Sequence, residues 1–442
     1  NGGLASNYSV TPGQTTTANI TAKTLTATAS SSNKVYDGLT TATTTLTFSG
    51  LIGSETLGQT VASTFNNKNV ATSKAVTVNS IVLANGSNGG LAGNYSISPG
   101  QTTTANITAK SLTVSGITAS NKTYDTTTSA TLDSSSVSYS GIVTGDTFTG
   151  SYSGLFTNAN VGSGKTVNIT SSYSGADAGN YTVTDQSSTT ADIAAKALTA
   201  TASASNKTYN GSTTAVTTLT FTGLVGTETL GQTVGSTFDN KNVGSNKTVT
   251  VNSITLADGS NGGLAANYSI NAGQTSTAHI SQKVLTVSGN TASNKIYDGN
   301  SSATVTVTLS GFVGSEALTY TNSSSFNNKN IGAGKTVTVN SIILADGTNG
   351  GLATNYSVTP GQTTTANLTA KALTVSGITS SSKTYNGSTS ATLDTTSVIY
   401  SGLVSGDTFN GSYTGAFSNA NVGAVKTVTI TSSYGGADVN NY

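Results

Sequence analysis

The sequence predicts an all-β chain built as a tandem array of small two-sheet units, and three observations carry that prediction. Short markers recur in fixed order: Asn-Tyr ends at Tyr8, Tyr95, Tyr181, Tyr268, Tyr356 and Tyr442, and Lys-x-Tyr-Asp/Asn places Tyr36, Tyr124, Tyr209, Tyr297 and Tyr385. A third marker, Phe-x-Asn-x-Asn, begins at Phe65, Phe156, Phe238, Phe326 and Phe417. The Asn-Tyr steps are 87, 86, 87, 88 and 86 residues, long enough for a small domain and too long for a β-helix coil. Stretches such as Thr304-Val305-Thr306-Val307-Thr308-Leu309 alternate apolar and hydroxyl residues with the period of a half-buried strand. Amphipathic helical spacing is absent, and the Thr, Val and Gly content disfavours helix.

Taken in order, residues 1–23 read as the end of a preceding repeat. Four repeats follow at 24–110, 111–196, 197–283 and 284–371, then a truncated one at 372–442. Each opens on a Leu-Thr strand, turns at Lys-x-Tyr-Asp/Asn and turns again after the Phe marker into Gly-x-x-Lys-Thr-Val. It closes through a Gly- and Asn-rich turn into the Asn-Tyr strand. Seven or so short strands separated by such turns point to an Ig-like β-sandwich. At the seam, Ala105-Asn106-Ile107-Thr108-Ala109-Lys110 leads straight into Ser111-Leu112-Thr113 with no linker composition. The expectation is therefore strands passing uninterrupted from module to module, and an extended rod. With no Met, and with closing turns at both ends, the chain reads as a window from a longer one.

Composition narrows the functional classes. Only 8% of residues are charged, and the 18 basic residues, all Lys, nearly balance 17 acids. A basic face with Arg for nucleic acid is missing, and no apolar run is long enough for a membrane span. Without Cys there are no disulfides or thiolate chemistry, so stability rests on packing.

Two subtypes interleave. Repeats 24–110, 197–283 and 284–371 carry Gly-Ser/Thr-Glu at Glu55, Glu228 and Glu316, and close on Asn-Gly-Gly-Leu-Ala. The other two carry Gly-Asp-Thr-Phe at Asp146 and Asp407 and close on Gly-Ala-Asp at Asp177 and Asp438. Alternating subtypes limit strand exchange between near-identical neighbours.

The recurring residues read first as packing. Asp or Asn after Tyr36, Tyr124, Tyr209, Tyr297 and Tyr385 suits an Asx-turn, which tolerates Thr126 where other repeats have Gly. Those tyrosines are expected to pack on the core and tie their hydroxyls to backbone, with a ligand-contact loop as the rival. Tyr95, Tyr181, Tyr268 and Tyr356 begin a strand after an Asn suited to left-handed backbone. Oxygen-rich turns at Asp258 and Asp346 resemble calcium loops, but Asn85 replaces the first acid and no bidentate Glu follows, so no metal is assigned. An isopeptide bond between Lys and Asn would need a buried acid held at one position, and the acids move between subtypes. His279 is the single imidazole, standing where other repeats have Asn19, Asn106, Asp192 and Asn367. It supports neither a triad nor a zinc site. We expect no enzyme activity and no cofactor.

Together, Lys-x-Tyr-Asp-Gly, Gly-Leu-Val-x-Gly-Asp, Phe-x-Asn-x-Asn-Val-Gly-x-x-Lys-Thr-Val and Gly-Ala-Asp-x-x-Asn-Tyr resemble the YDG-type repeat domain of large bacterial surface and secreted adhesins, often found beside filamentous-haemagglutinin-like secretion domains. The best match is repeat 111–196, and departures are Thr126 and the Asn-Gly-Gly-Leu-Ala close. The resemblance implies an extracellular or bacterial cell-surface location, a stalk or fibre role, and no catalytic residue. Its rivals are a filament subunit joined by strand donation and a carbohydrate-binding module. The partners they imply are further copies of the chain, laterally or end to end, or a host or matrix glycan.

Overall fold

The computed structural model describes residues 22–442. Tyr8 and almost all of the segment read as the end of a preceding repeat lie outside the described residues. The chain is all-β, and its helical pieces are three-residue 3-10 turns, such as Ala178–Asn180, each immediately before an Asn-Tyr tyrosine. It divides into two compact units. One takes in the chain as far as Thr199 with Phe221–Gly231 and Leu256–Ile270; the other holds Ala200–Thr220, Gln232–Thr255 and Asn271–Tyr442. The division falls within the third repeat, so every seam between repeats lies inside one unit.

The first unit contains the second repeat whole, with ten strands between Lys110 and Ala194 where about seven were expected. The excess comes from two-residue segments, two of them edges of the larger sheet and two, Thr118–Ala119 and Leu132–Asp133, paired with each other. Five strands form one sheet in the order Lys122–Thr123, Ser188–Ala194, Gly162–Ser174, Thr149–Phe156 and Ser129–Ala130. Both edges are only two residues long, which leaves little open backbone for another chain to pair with. The outer pair is parallel, with Lys122 opposite Ile193, and the rest are antiparallel. A second sheet runs Ser138–Ser140, Lys110–Ser115, Tyr181–Thr184. Its last pair is parallel, Lys110 opposite Tyr181 and Leu112 opposite Val183, so the strand after Asn-Tyr returns to the strand that opened its own repeat. Alternation works as the sequence predicts: Leu112 and Val114 are buried while Ser111, Thr113 and Ser115 face solvent.

The long hairpin Thr149–Phe156 with Gly162–Ser174 belongs to both ends of the repeat. At one end Phe156 and Val167 pack with Tyr124, Ile193 and, from the next repeat, Leu198 and Tyr268. At the other, Tyr152 and Tyr173 pack with Phe148, Leu112 and, from the preceding repeat, Tyr36 and Phe65. Both of these cores therefore span a seam, whereas Leu46, Val78 and Ile81 form a core within the first repeat. The Gly-x-x-Lys element starts this strand at Gly162 and carries a bulge between Gly162 and Lys165.

The second unit repeats the plan. Its complete repeat orders Lys295–Ile296, Thr363–Thr369, Gly332–Ala345, Thr319–Phe326 and Ser302–Ala303 in one sheet, and Val305–Ser310, Lys283–Ala292 and Tyr356–Val358 in the other.

The strand does not run unbroken across a seam. Thr102–Thr108 is followed after one residue by Lys110–Ser115, because the chain leaves the five-stranded sheet of one repeat for the second sheet of the next. One residue likewise separates Ser188–Ala194 from Lys196–Ala197 and Thr275–Ser281 from Lys283–Ala292. The last seam is longer, Thr363–Thr369 to Thr374–Ser376, and there the Lys371 amide donates to the Asn441 carbonyl at 3.0 Å.

Candidate functional site: the seam between repeats

The three sequence markers, taken from two successive repeats, meet at each seam. In the second unit, Tyr209 from one repeat donates its hydroxyl to Glu316 Oε1 at 2.7 Å, and Tyr356 donates to Oε2 of the same carboxylate at 2.7 Å. The two rings pack edge to face, 5.5 Å between centroids and 78° between planes. Tyr356 also accepts the Val313 amide at 3.0 Å, and Lys241 brings its ammonium to Glu316 at 3.0 Å. Beside the clamp, the Val243 amide donates to Asn355 Oδ1 at 2.8 Å, and Asn355 Nδ2 donates to Asn242 Oδ1 at 3.1 Å.

The same constellation recurs. Tyr124 and Tyr268 both donate to Glu228, the former at 2.7 Å, and their rings stand 5.4 Å apart at 79°. Tyr297 and Tyr442 both donate to Asp407 Oδ2, at 2.7 and 2.6 Å. At the first seam Tyr181 donates to Asp146 at 2.5 Å and Tyr36 reaches Asp177 at 3.4 Å, while Lys68 bridges Asp146 and Asp177 at 3.0 and 2.6 Å.

This placement corrects two expectations. The Lys-x-Tyr hydroxyls are not tied to backbone; they cross the seam to a carboxylate. The acids that differ between subtypes are not scattered but arrive at one place. A single Glu serves one subtype, whereas two Asp from separate loops serve the other, Asp146 with Asp177 and Asp407 with Asp438. Lys329 bridges the latter pair at 3.1 and 2.8 Å. Burial follows the seam: Tyr36, Tyr209 and Tyr297 are each 1% exposed, whereas Tyr385, which meets no carboxylate among the described residues, is 64% exposed. Tyr95 makes its half of the arrangement, donating to Glu55 and accepting the Ile52 amide at 3.1 Å.

A buried carboxylate survives only if its lone pairs are used and its charge is balanced. Burial by itself would raise Glu316, but the Tyr356 and Tyr209 hydroxyls and the Lys241 ammonium outweigh it and hold the carboxyl below its ordinary value. Asp407 is lowered in the same way by Tyr442, Tyr297 and Lys329. The phenols move oppositely: burial, then the hydrogen bond to the carboxylate, pushes Tyr124 and Tyr356 up to about 12. One complete seam lacks the cation. Ala159 stands where Lys68, Lys241 and Lys329 stand in other repeats, so Glu228 is held by phenols with no ammonium among the described residues at ion-pair distance.

The five Asx residues after the Lys-x-Tyr tyrosines all cap the amide two residues on, as Asp37 does for Leu39 at 2.9 Å and Asp125 for Thr127 at 2.8 Å. A lysine closes each turn, Lys34 meeting Asp37 at 2.7 Å and lying 5.7 Å from the Phe65 ring. The next residue is left-handed in every case, including Thr126 at φ 69°, so the backbone requirement is kept even where Gly is lost.

Other candidates resolve into turn chemistry. Asp258 and Asp346 each accept a backbone amide of their own turn at 2.7 Å, from Ala265 and Ala353, as Asn85 does from Ala92 at 2.8 Å. Lys74 meets Asn67 at 2.6 Å and Lys165 meets Asn158 at 2.7 Å, as hydrogen bonds closing the Phe-x-Asn turn. His279 Nδ1 accepts the Asn246 amide in the bulge at 3.2 Å, the role Asn106, Asp192 and Asn367 play at 2.8, 2.7 and 2.8 Å.

A family model described as the YDG domain matches residues 21–105, 108–191, 194–278, 281–366 and 369–442. The chain belongs to the YDG domain family. Tyr36-Asp37-Gly38 and Tyr297-Asp298-Gly299 spell the tripeptide, and both sit where a YDG domain hands its tyrosine to its successor. A search of curated proteins finds no match to the chain.

Proposed function

We propose that these YDG repeats, read as Ig-like sandwiches, are the spacer or stalk of a bacterial cell-surface or extracellular repeat protein, an adhesin or fibre, and act without catalysis. The carrying observation is that one carboxylate takes the hydroxyls of two tyrosines from two consecutive repeats. A repeat so joined is oriented by its neighbour, and the connectors of one residue at three seams leave little slack. The aromatic residues and much of the charge serve seams and turns, which leaves Ser, Thr and Asn to face solvent. An array of this kind gains stability by nearest-neighbour terms, each added repeat contributing a core shared with the last.

The experiment is small-angle scattering on the full chain beside a variant in which Tyr124, Tyr209 and Tyr297 are all Phe. The spacer reading expects a narrow distribution of dimensions for the wild type and a broader one for the variant. A wild type that scatters as freely hinged beads would overturn it. Saturable binding of a defined glycan by the wild type would move the assignment to a carbohydrate-binding module.

A further inference from the structure

Two Asn-Gly turns carry the elements of a modification site. Asn210-Gly211 and Asn386-Gly387 occupy the position held by Asp37, Asp125 and Asp298 in the other repeats. Asn210 is exposed, and its Oδ1 accepts both the Ser212 amide at 3.1 Å and the Lys207 ammonium at 3.1 Å. Asn386 Oδ1 accepts the Ser388 amide at 3.2 Å and the Lys383 ammonium at 3.0 Å. Both donors polarise the carboxamide carbonyl, as donors aimed at an oxyanion do. The Asx-turn folds the carboxamide back toward the following peptide group. Gly211 has no Cβ to hinder approach, and no acceptor among the described residues takes its amide hydrogen or that of Gly387.

We propose that Asn210 and Asn386 are sites of spontaneous deamidation. The backbone nitrogen of the glycine attacks Cγ of the asparagine, a carbon-nitrogen bond forms, and Nδ2 leaves with the displaced proton as ammonia. Water then opens the resulting succinimide at one carbonyl or the other, giving aspartate or isoaspartate. The aspartyl product is already built into this chain: Lys34–Asp37, Lys122–Asp125 and Lys295–Asp298 are ion pairs of 2.7 Å in the same turn. Deamidation therefore converts two lysine-amide contacts into lysine-carboxylate pairs. The isoaspartyl product is different in kind, because it inserts a backbone atom at a seam. A Cβ on Gly211 would stand 2.7 Å from Val313 Cγ1 of the next repeat, so that contact has no room for a longer chain.

Three other Asn-Gly pairs lack this arrangement. At Asn85 the following amide is engaged, Gly86 donating to the Gly90 carbonyl at 2.8 Å. Asn261 and Asn349 are left-handed and hold the leaving nitrogen on a carbonyl, Nδ2 donating to Thr227 and Ser315 at 2.9 Å.

The test is peptide mapping of the full chain during incubation at neutral pH, with fragmentation that separates aspartate from isoaspartate. The expected result is several-fold faster conversion at Asn210 and Asn386 than at Asn85, Asn261 or Asn349, and slowing at Asn210 in Lys207→Gln. Equal or slower conversion at Asn210 and Asn386 would overturn the proposal within the wild-type chain, whatever the variant's fold. An unchanged rate in a folded Lys207→Gln would overturn the part assigned to the ammonium.

Discussion

Tyr209 and Glu316 are 107 residues apart in the chain and 2.7 Å apart in the structure, both buried, with Tyr356 on the other oxygen of the same carboxylate. Removing one phenol leaves a buried charge short of a donor, which costs more than the hydrogen bond gained in forming it. Tyr209→Phe should therefore lower stability by about 1.5–3 kcal/mol. Urea unfolding should show the loss, and hydrogen exchange should place it at amides near the seam, such as that of Val313, and not around Tyr36. A uniform change along the chain would contradict a local clamp.

Ala159 marks a seam where a lysine can be added. Ala159→Lys should bring an ammonium to Glu228 as Lys241 brings one to Glu316 at 3.0 Å, while Lys241→Ala should undo that pair. Lys241 is 39% exposed, so solvent screens the interaction and each change should be worth only about 0.5–1 kcal/mol, in opposite directions. The gain from Ala159→Lys, read from the thermal midpoint, should shrink as salt is raised. A salt-independent gain would point to packing by the lysine stem instead.

The clamp should fail at both ends of the pH scale. Glu316 and Asp407 are held below their ordinary values of 4.5 and 3.8. The stability they add is thus present above those values and is lost as pH falls through the lower folded ones. The phenols have the opposite sign. Tyr124, Tyr356 and Tyr442 are pushed up to about 12, so folding favours their protonated form. Their contribution is intact below the ordinary phenol value of 10 and fades as pH rises from there through about 12. The thermal midpoint should fall at both extremes, and tyrosinate absorbance should rise together with unfolding on the alkaline side.

Much of this was legible in the sequence, and the limit has a physical cause. Alternation in Lys110–Ser115 and the turn chemistry after Tyr36 are local, so residue type and spacing specify them. The clamp is not local. In an array of constant period, a contact within a repeat and a contact to the next repeat leave the same periodic trace. Tyr36 could as well have met Tyr95 as Tyr181, and only the fold chooses Tyr181, 5.5 Å away. The acids were harder still, because Glu228 and Asp146, each three residues after the valine whose amide meets the Asn-Tyr hydroxyl, differ in length, the shorter Asp being helped by Asp177. One signal was available: Lys68, Lys241 and Lys329 accompany an acid in the following repeat, and Ala159 does not break that acid's presence.

Thr126 is the one place in the five Asx-turns where the chain works against its own backbone. It holds φ 69°, a region where the branched Cβ crowds the carbonyl, while the matching Gly38 and Gly299 sit at 79° and 84° without penalty. Thr126→Gly relieves about 1–2 kcal/mol of that strain and loses roughly half as much to the greater freedom of the unfolded chain. A net stabilisation of about 0.5–1 kcal/mol should remain, because the cap from Asp125 to Thr127 does not involve the substituted side chain. The reverse change at Gly299 should be far worse than a turn preference explains. A Cβ there meets left-handed backbone and also stands 2.6 Å from Val404 Cγ1 of the next repeat. Gly299→Ala should thus destabilise by about 2 kcal/mol or more, with exchange protection lost on both sides of the seam. If its effect were no larger than that of Gly387→Ala, where nothing stands within 4 Å of the added carbon, the seam would not be packing against this turn.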